Sequence, residues 1–338
     1  MNTLTASLLA PLGYAYGVVM LVRRAAYAHG LIQQHSLPGK TIAIGNLEVG
    51  GTGKTPITIA LASYLRAHGF RPAILTRGYR SGLAPHDSMA LVGADMVVSP
   101  LVAGDYHPDE PKLAAVTLGD VPVIIGAQRH AAAERFLDLF APPTHWLLDD
   151  GFQHLALTRD LNIVLLDAAA PFASERVLPA GRLREPVRVL AHADALLLTR
   201  GTVDRLPDGM RHRLEAFGKP LIGVPFAMSV PLAMTAGAPP LATLPRIALI
   251  AGIARPERLV VALAAQGIVA ARTRFLPDHG RIPADAIFAT GCDAILTTAK
   301  DWARDEAALQ AAGRPVYVVD VHPELPSNVL DELLAPVL

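Results

Sequence analysis

The chain has 338 residues, and 30 lysines plus arginines balance 30 aspartates plus glutamates, so the formal net charge is zero. No global basic field recruits nucleic acid, and the single cysteine, Cys292, excludes an intrachain disulfide and a cysteine-based zinc site. The length favours two domains over one core, and a mean hydropathy of +0.35 is apolar for a soluble enzyme but far short of a multi-span membrane protein.

Residues 2–22 carry no charge and are followed at once by Arg23-Arg24. A secretory signal requires basic residues before its apolar core, and here there are none. Pro11, Gly13 and Gly17 dilute the run below what a spanning helix needs. The pattern predicts an interfacial helix with Tyr and Arg at the headgroup level; burial against its own domain is the alternative.

Thr41–Ile44 is a short apolar run, and Ile57–Leu65 has helical apolar spacing. Between them lies Gly45-Asn46-Leu47-Glu48-Val49-Gly50-Gly51-Thr52-Gly53-Lys54-Thr55-Pro56. Strand, glycine loop and helix together form the context of a phosphate-binding loop. Gly50, Gly51, Thr52 and Gly53 let backbone N–H groups approach an anion, and the helix adds its positive end. Lys54 is expected to reach the β- and γ-phosphates of ATP, and the Thr55 hydroxyl to ligate Mg²⁺. The strict pattern begins with Gly, whereas this chain has Glu48 there.

Further apolar runs at 72–76, 121–125, 146–148, 162–166 and 195–199 read as strands buried on both faces. Separated by helical patterns, they predict an α/β domain with a mostly parallel sheet. Residues 80–105 read as loop and hairpin. Prolines accumulate near 219–240, the candidate hinge, and runs at 247–250, 294–297 and 316–319 predict a smaller second α/β domain. The expected division is therefore 1–35 for the membrane-associating helix, 36–224 for the P-loop domain and 225–338 for the C-terminal domain.

Asp149-Asp150 ends the apolar run His145–Leu148, which places both carboxylates on the ligand side of the sheet, where a Walker-B type acid holds Mg²⁺. Asp109-Glu110-Pro111 reads on its own as a helix N-terminus. His154 and His279 stand among 12 histidines, and spacing alone assigns neither a role.

Together with the glycine loop, the strings Arg77-Gly78-Tyr79, Asp109-Glu110-Pro111, Asp149-Asp150-Gly151-Phe152-Gln153-His154, Arg159-Asp160-Leu161-Asn162, Leu178-Pro179-Ala180-Gly181-Arg182-Leu183-Arg184-Glu185-Pro186, Pro277-Asp278-His279 and Leu296-Thr297-Thr298-Ala299-Lys300-Asp301 resemble the tetraacyldisaccharide 4'-kinases. The matches run in order over nearly the whole chain. The resemblance implies transfer of the γ-phosphate of ATP to the 4'-hydroxyl of a tetraacyl disaccharide 1-phosphate in lipid A biosynthesis. It also implies work at the cytoplasmic face of the inner membrane, with the lipid and the membrane surface as partners, no nucleic acid and no obligate protein partner. Asp109 paired with His279 would activate the sugar hydroxyl, with Lys54 on the phosphates. Thr55, Glu110, Asp149 and Asp150 would ligate Mg²⁺. Asn46, Tyr79, Arg129, His154 and Arg184 match positions near substrate or phosphates.

A carboxylate that accepts the hydroxyl proton and a histidine that holds it suit this chemistry. Base and P-loop on separate domains would make closure a condition for transfer. Two positions depart from the family pattern: Pro108 stands where Gly is usual, and Gly280 where an aromatic or His is common. Two other classes share the glycine loop. A P-loop ATPase switch or metallochaperone acts on a protein partner, and a soluble small-molecule kinase uses its N-terminal segment as core.

Overall fold

A computed structural model of the chain describes residues 3–338 apart from 79–80, 102–105, 107, 173–174, 254–255, 278–279 and 284–290. The larger sheet forms around β1 (Lys40–Asn46), whose residues 41–46 are all buried. On one side lie β6 (His145–Asp149), β2 (Pro72–Thr76) and β5 (Val123–Gly126); on the other lie β7 (Leu161–Asp167), β8 (Ala195–Thr199) and β9 (Leu221–Val224). These seven pair in parallel. The hairpin of β3 (Ser88–Val92) and β4 (Asp95–Val98) extends the edge beyond β5 in antiparallel fashion.

Alternation of side chains across the sheet explains why the strands are apolar at every position. Ile42, Ile44 and Leu147 enter one core with Ile57, Leu61 and Leu65 of helix α3 (Lys54–Ala67). Ala43, Trp146 and Leu148 enter a second core on the opposite face with Phe136. A third gathers Phe152, Val164, Leu183 and Leu196. Each Ile or Leu buried in this way contributes about 1.5–3 kcal/mol relative to exposure.

Two helices precede β1: α1 (Thr3–Leu8) and α2 (Ala10–Ala28), the latter with Pro11 in its first turn, where its missing N–H costs nothing. Gly13 and Gly17, one turn apart, face inward. A Cβ on Gly13 would come within 2.9 Å of the Ala180 Cβ, and one on Gly17 within 3.3 Å of Pro186. The glycines that dilute the apolar run are thus the face on which the helix sits. The other face leaves Leu12, Tyr14, Val19 and Val22 more than half exposed. Among the described residues no helix is long and apolar enough to cross a membrane.

The chain divides into two compact units. The first comprises Met1–Tyr106, Ala114–Phe226 and Pro323–Leu338; the second comprises His107–Leu113 and Ala227–His322. Helices α4 (Asp109–Leu118) and α5 (Arg129–Leu137) follow α3 in chain order. In the second unit, the short β10 (Leu232–Ala233) is followed by β11 (Ile247–Ala251), β12 (Arg272–Phe275), β13 (Ala294–Thr298) and β14 (Val316–Val319); the last four pair in parallel, and β10 is antiparallel to β14. Leu249, Leu263, Leu296 and Tyr317 fill its core. The closing helix Ser327–Leu334 carries Leu330, Leu333 and Leu334 into the first unit's core beside α3. The α/β class, the mostly parallel larger sheet and the smaller second sheet match the sequence expectation.

Candidate functional site

β1 ends at Asn46 beneath the glycine loop. Gly53 stands just before α3 with φ +85° and Gly50 has φ +130°, both in the left-handed region that favours glycine. A Cβ on Gly53 would also meet the Phe226 ring at 2.7 Å. Glu48 needs no such freedom. It bridges antiparallel to Leu183, while the Val49 amide donates to the Arg182 carbonyl (2.9 Å) and the Arg184 amide to the Leu47 carbonyl (2.6 Å). The start of the loop is therefore a short ladder braced by Arg182-Leu183-Arg184, which explains how Glu replaces the first glycine.

Lys54 opens α3 and lies 3.3 Å from Asn46 Oδ1 and 3.6 Å from the Asp150 carboxylate. Asp150 follows the tip of β6 with φ +55°, a conformation that costs a non-glycine residue of order 1–3 kcal/mol unless its surroundings fix it. The surroundings do so. Arg184 Nη1 donates to both Asp150 oxygens at 2.8 and 2.7 Å. Burial pushes the Asp150 carboxyl up, but Lys54 and then Arg184 outweigh it and hold it below the usual carboxylate range. The fully ionised carboxylate thus stands in a cage of cations at the mouth of the loop.

Arg129, at the start of α5, is buried and donates to the backbone carbonyls of Asp149 (3.2 Å) and Asp150 (3.4 Å). Burial pulls its guanidinium down to about 10, opposed by Asp150 and Asp149, so it stays charged at neutral pH. His154 is pushed down to about 3, first by burial and then by Arg129, Arg159, Arg23 and Arg77. It is therefore a neutral imidazole throughout the physiological range. Asn46 Nδ2, Thr52 Oγ1, Arg129 Nε and His154 Nε2 are buried with no hydrogen-bond partner among the described residues. Unspent polar groups around a cationic loop, the Asn46 and Arg129 N–H donors among them, are what an incoming polyphosphate satisfies.

The oxygen donors fit Mg²⁺. A hydroxyl on Thr55 and carboxylates on Asp149 and Asp150 are hard ligands, and Mg²⁺ takes one or two carboxylates plus substrate phosphates rather than a full protein cage. Among the described residues no group of three or more His, Cys, Asp or Glu side chains is placed to hold an ion alone.

A family model described as tetraacyldisaccharide-1-P 4'-kinase (LpxK) matches residues 5–338. The chain belongs to this kinase family. It is 36% identical over 334 residues to the tetraacyldisaccharide 4'-kinase of Geobacter sulfurreducens, covering 94% of this chain and 91% of that protein. It is likewise 36% identical over 348 residues to the enzyme of Chromobacterium violaceum, covering 97% and 93%. The crystal structure of LpxK from Aquifex aeolicus in complex with ATP superposes with a TM-score of 0.73 at 29% identity, covering 98% of this chain and 99% of that one. The chain is accordingly an ATP-dependent kinase.

Within this kinase, the acidic pair Asp109-Glu110 forms the first turn of α4, where the dipole favours negative charge. Both residues cluster with the second unit. There Lys300 Nζ meets Glu110 Oε1 at 2.9 Å. The residue after Lys300, Asp301, is buried and fixed: the Thr298 hydroxyl donates to Asp301 Oδ2 (2.7 Å), and the Gly252 amide donates to both Asp301 oxygens. His279 and Tyr79 lie outside the described residues.

The structure brings together Asn46, Lys54, Arg129, Asp150, His154 and Arg184 in the first unit. Gln153, Glu185 and Lys300 carry no individual signal in the sequence beyond their place inside the diagnostic strings. The apolar run before Arg24 predicts a headgroup-facing side chain, but Arg24 is buried against Glu185 at 2.8 Å.

Proposed function

We propose that this chain transfers the γ-phosphate of ATP to the 4'-hydroxyl of a tetraacyl disaccharide 1-phosphate, at the cytoplasmic face of the inner membrane. The observation that carries the reading is the cationic cage of Lys54 and Arg184 around Asp150 at the mouth of a glycine loop. The loop amides from Gly50 to Thr55 and the positive end of α3 would cradle the phosphates. Lys54 neutralises charge that builds on the phosphoryl oxygens during transfer. Asp109 takes the proton of the 4'-hydroxyl as its oxygen bonds to the γ-phosphorus and the bond to the ADP oxygen breaks. His279 orients Asp109. Thr55, Glu110, Asp149 and Asp150 would hold Mg²⁺, which when bound adds positive charge beside the β- and γ-oxygens. Asn46, Tyr79, Arg129, His154 and Arg184 would line the substrate and phosphate side.

The test is incubation with γ-labelled ATP and tetraacyl disaccharide 1-phosphate in detergent. Label in the organic phase is the expected result. Label released only as inorganic phosphate would favour an ATPase switch and overturn the reading.

The exposed apolar face of α2 supports membrane docking, with Leu12, Val19 and Val22 entering the acyl boundary. Substituting all three by serine should weaken partition onto anionic vesicles at least about tenfold, the factor that about 1.4 kcal/mol of lost apolar transfer produces. Cosedimentation equal to wild type would remove α2 as the docking surface.

A further inference from the structure

Arg24 projects from the inner face of α2, opposite the exposed apolar side chains. Its guanidinium spans the Glu185 carboxylate, with Nε 3.3 Å from Oε1 and Nη2 2.8 Å from Oε2, and Nη2 also reaches the Phe152 carbonyl at 3.4 Å. It packs over the Phe152 ring, 4.7 Å from the centroid. Glu185 is completely buried. Its Oε2 also accepts from Gln153 Nε2 at 3.2 Å, and the same Nε2 donates to the Asn46 carbonyl at 3.0 Å. Arg184, the neighbour of Glu185, grips Asp150, and Asp150 faces Lys54. A continuous polar chain thus runs from the amphipathic helix to the phosphate loop.

We propose that Arg24 is a positioning residue for phosphoryl transfer: by fixing Glu185 and Gln153 it sets Arg184, Asp150 and Asn46 around Lys54, so α2 is part of the phosphate site as well as an anchor. The proposal rests on the reading of Lys54 and Asp150 as that site.

A buried ion pair is not needed for stability as such. Removing one partner strands a charge and is strongly destabilising, whereas an apolar pair of similar volume is often neutral or stabilising. That asymmetry separates the two roles. The substrate is presented in detergent micelles, where docking on a bilayer is not required, and kcat, the KM for ATP and the thermal midpoint are measured. Arg24→Met alone should lose stability. Arg24→Met combined with Glu185→Met should recover the thermal midpoint to within a few degrees yet keep kcat lowered by at least about tenfold, the scale of a site misplaced by less than an ångström. Gln153→Leu, which breaks the chain without burying a lone charge, should lower kcat in the same direction. Arg24→Lys should restore part of the rate.

A double variant, or a folded Gln153→Leu, with wild-type kcat would overturn the proposal and leave Arg24 a structural tether. Lys54→Met run alongside keeps the two readings apart: if it is inactive while the double variant is normal, only the positioning role fails. If Lys54→Met itself turns over normally, the phosphate site is misassigned and both fall.

Discussion

Replacing Lys54 by methionine is expected to lower kcat by about a thousandfold, the scale seen when one donor to developing charge is removed. The effect should fall on turnover and leave the fold intact. Asp150 keeps its two-bond contact with Arg184 at 2.8 and 2.7 Å, so no carboxylate is stranded when the ammonium leaves. The methionine stem fills the space of the lysine stem, and α3 loses no helix propensity worth counting. Binding of ATP should weaken far less than kcat, because the loop amides and the helix terminus remain. Steady-state kinetics beside a thermal melt separate these effects. A kcat within threefold of wild type, at any stability, would show that Lys54 does not touch the transferring group.

Changing Asp109 to asparagine should lower kcat by about a hundredfold to ten-thousandfold, the usual contribution of a positioned general base. Asparagine is nearly isosteric and is tolerated at the start of a helix, so α4 should form as before. What it lacks is a carboxylate able to take a proton from the sugar hydroxyl. The KM for ATP should change little, which distinguishes loss of the base from loss of a phosphate or metal contact. Glu110 shares the same helical turn and is paired with Lys300. Wild-type rates in the Asp109 variant would rule out the base assignment.

The sequence carried most of the architecture because buried parallel strands announce themselves as unbroken apolar runs. The strand ending at Asp149 and the glycine loop after β1 were both readable, and the fold sets them side by side: Ile44 of β1 is in register with Asp149. Less legible was anything that depends on contacts far apart in the chain. The buried orientation of Arg24 could not be read, because a basic residue after an apolar run has the same local pattern whether it meets lipid or a buried carboxylate. The bracing of Leu47, Glu48 and Val49 by residues 182–184 was equally hidden, since a ladder between two loops leaves no periodicity in either. The closing helix illustrates the same limit. Its leucines at 330, 333 and 334 announce an amphipathic helix but not the core that receives them.

The same tertiary contacts explain the chemistry of the acidic pair after β6. Two adjacent aspartates read identically as ligands, yet their surroundings differ. Asp150 adopts a left-handed backbone and is fixed by Arg184 and Lys54, while the carbonyls of both residues accept from the buried Arg129. His154, four residues on, is kept neutral by burial among arginines and so offers a hydrogen bond without adding to the positive field.

The most direct measurement is the phosphorus NMR spectrum of the lipid recovered after reaction with ATP. A second phosphomonoester resonance coupled to the proton on the 4' carbon is the predicted outcome, in proportion to the ADP formed. An unchanged lipid spectrum alongside stoichiometric inorganic phosphate would contradict the assignment of a sugar hydroxyl as the acceptor.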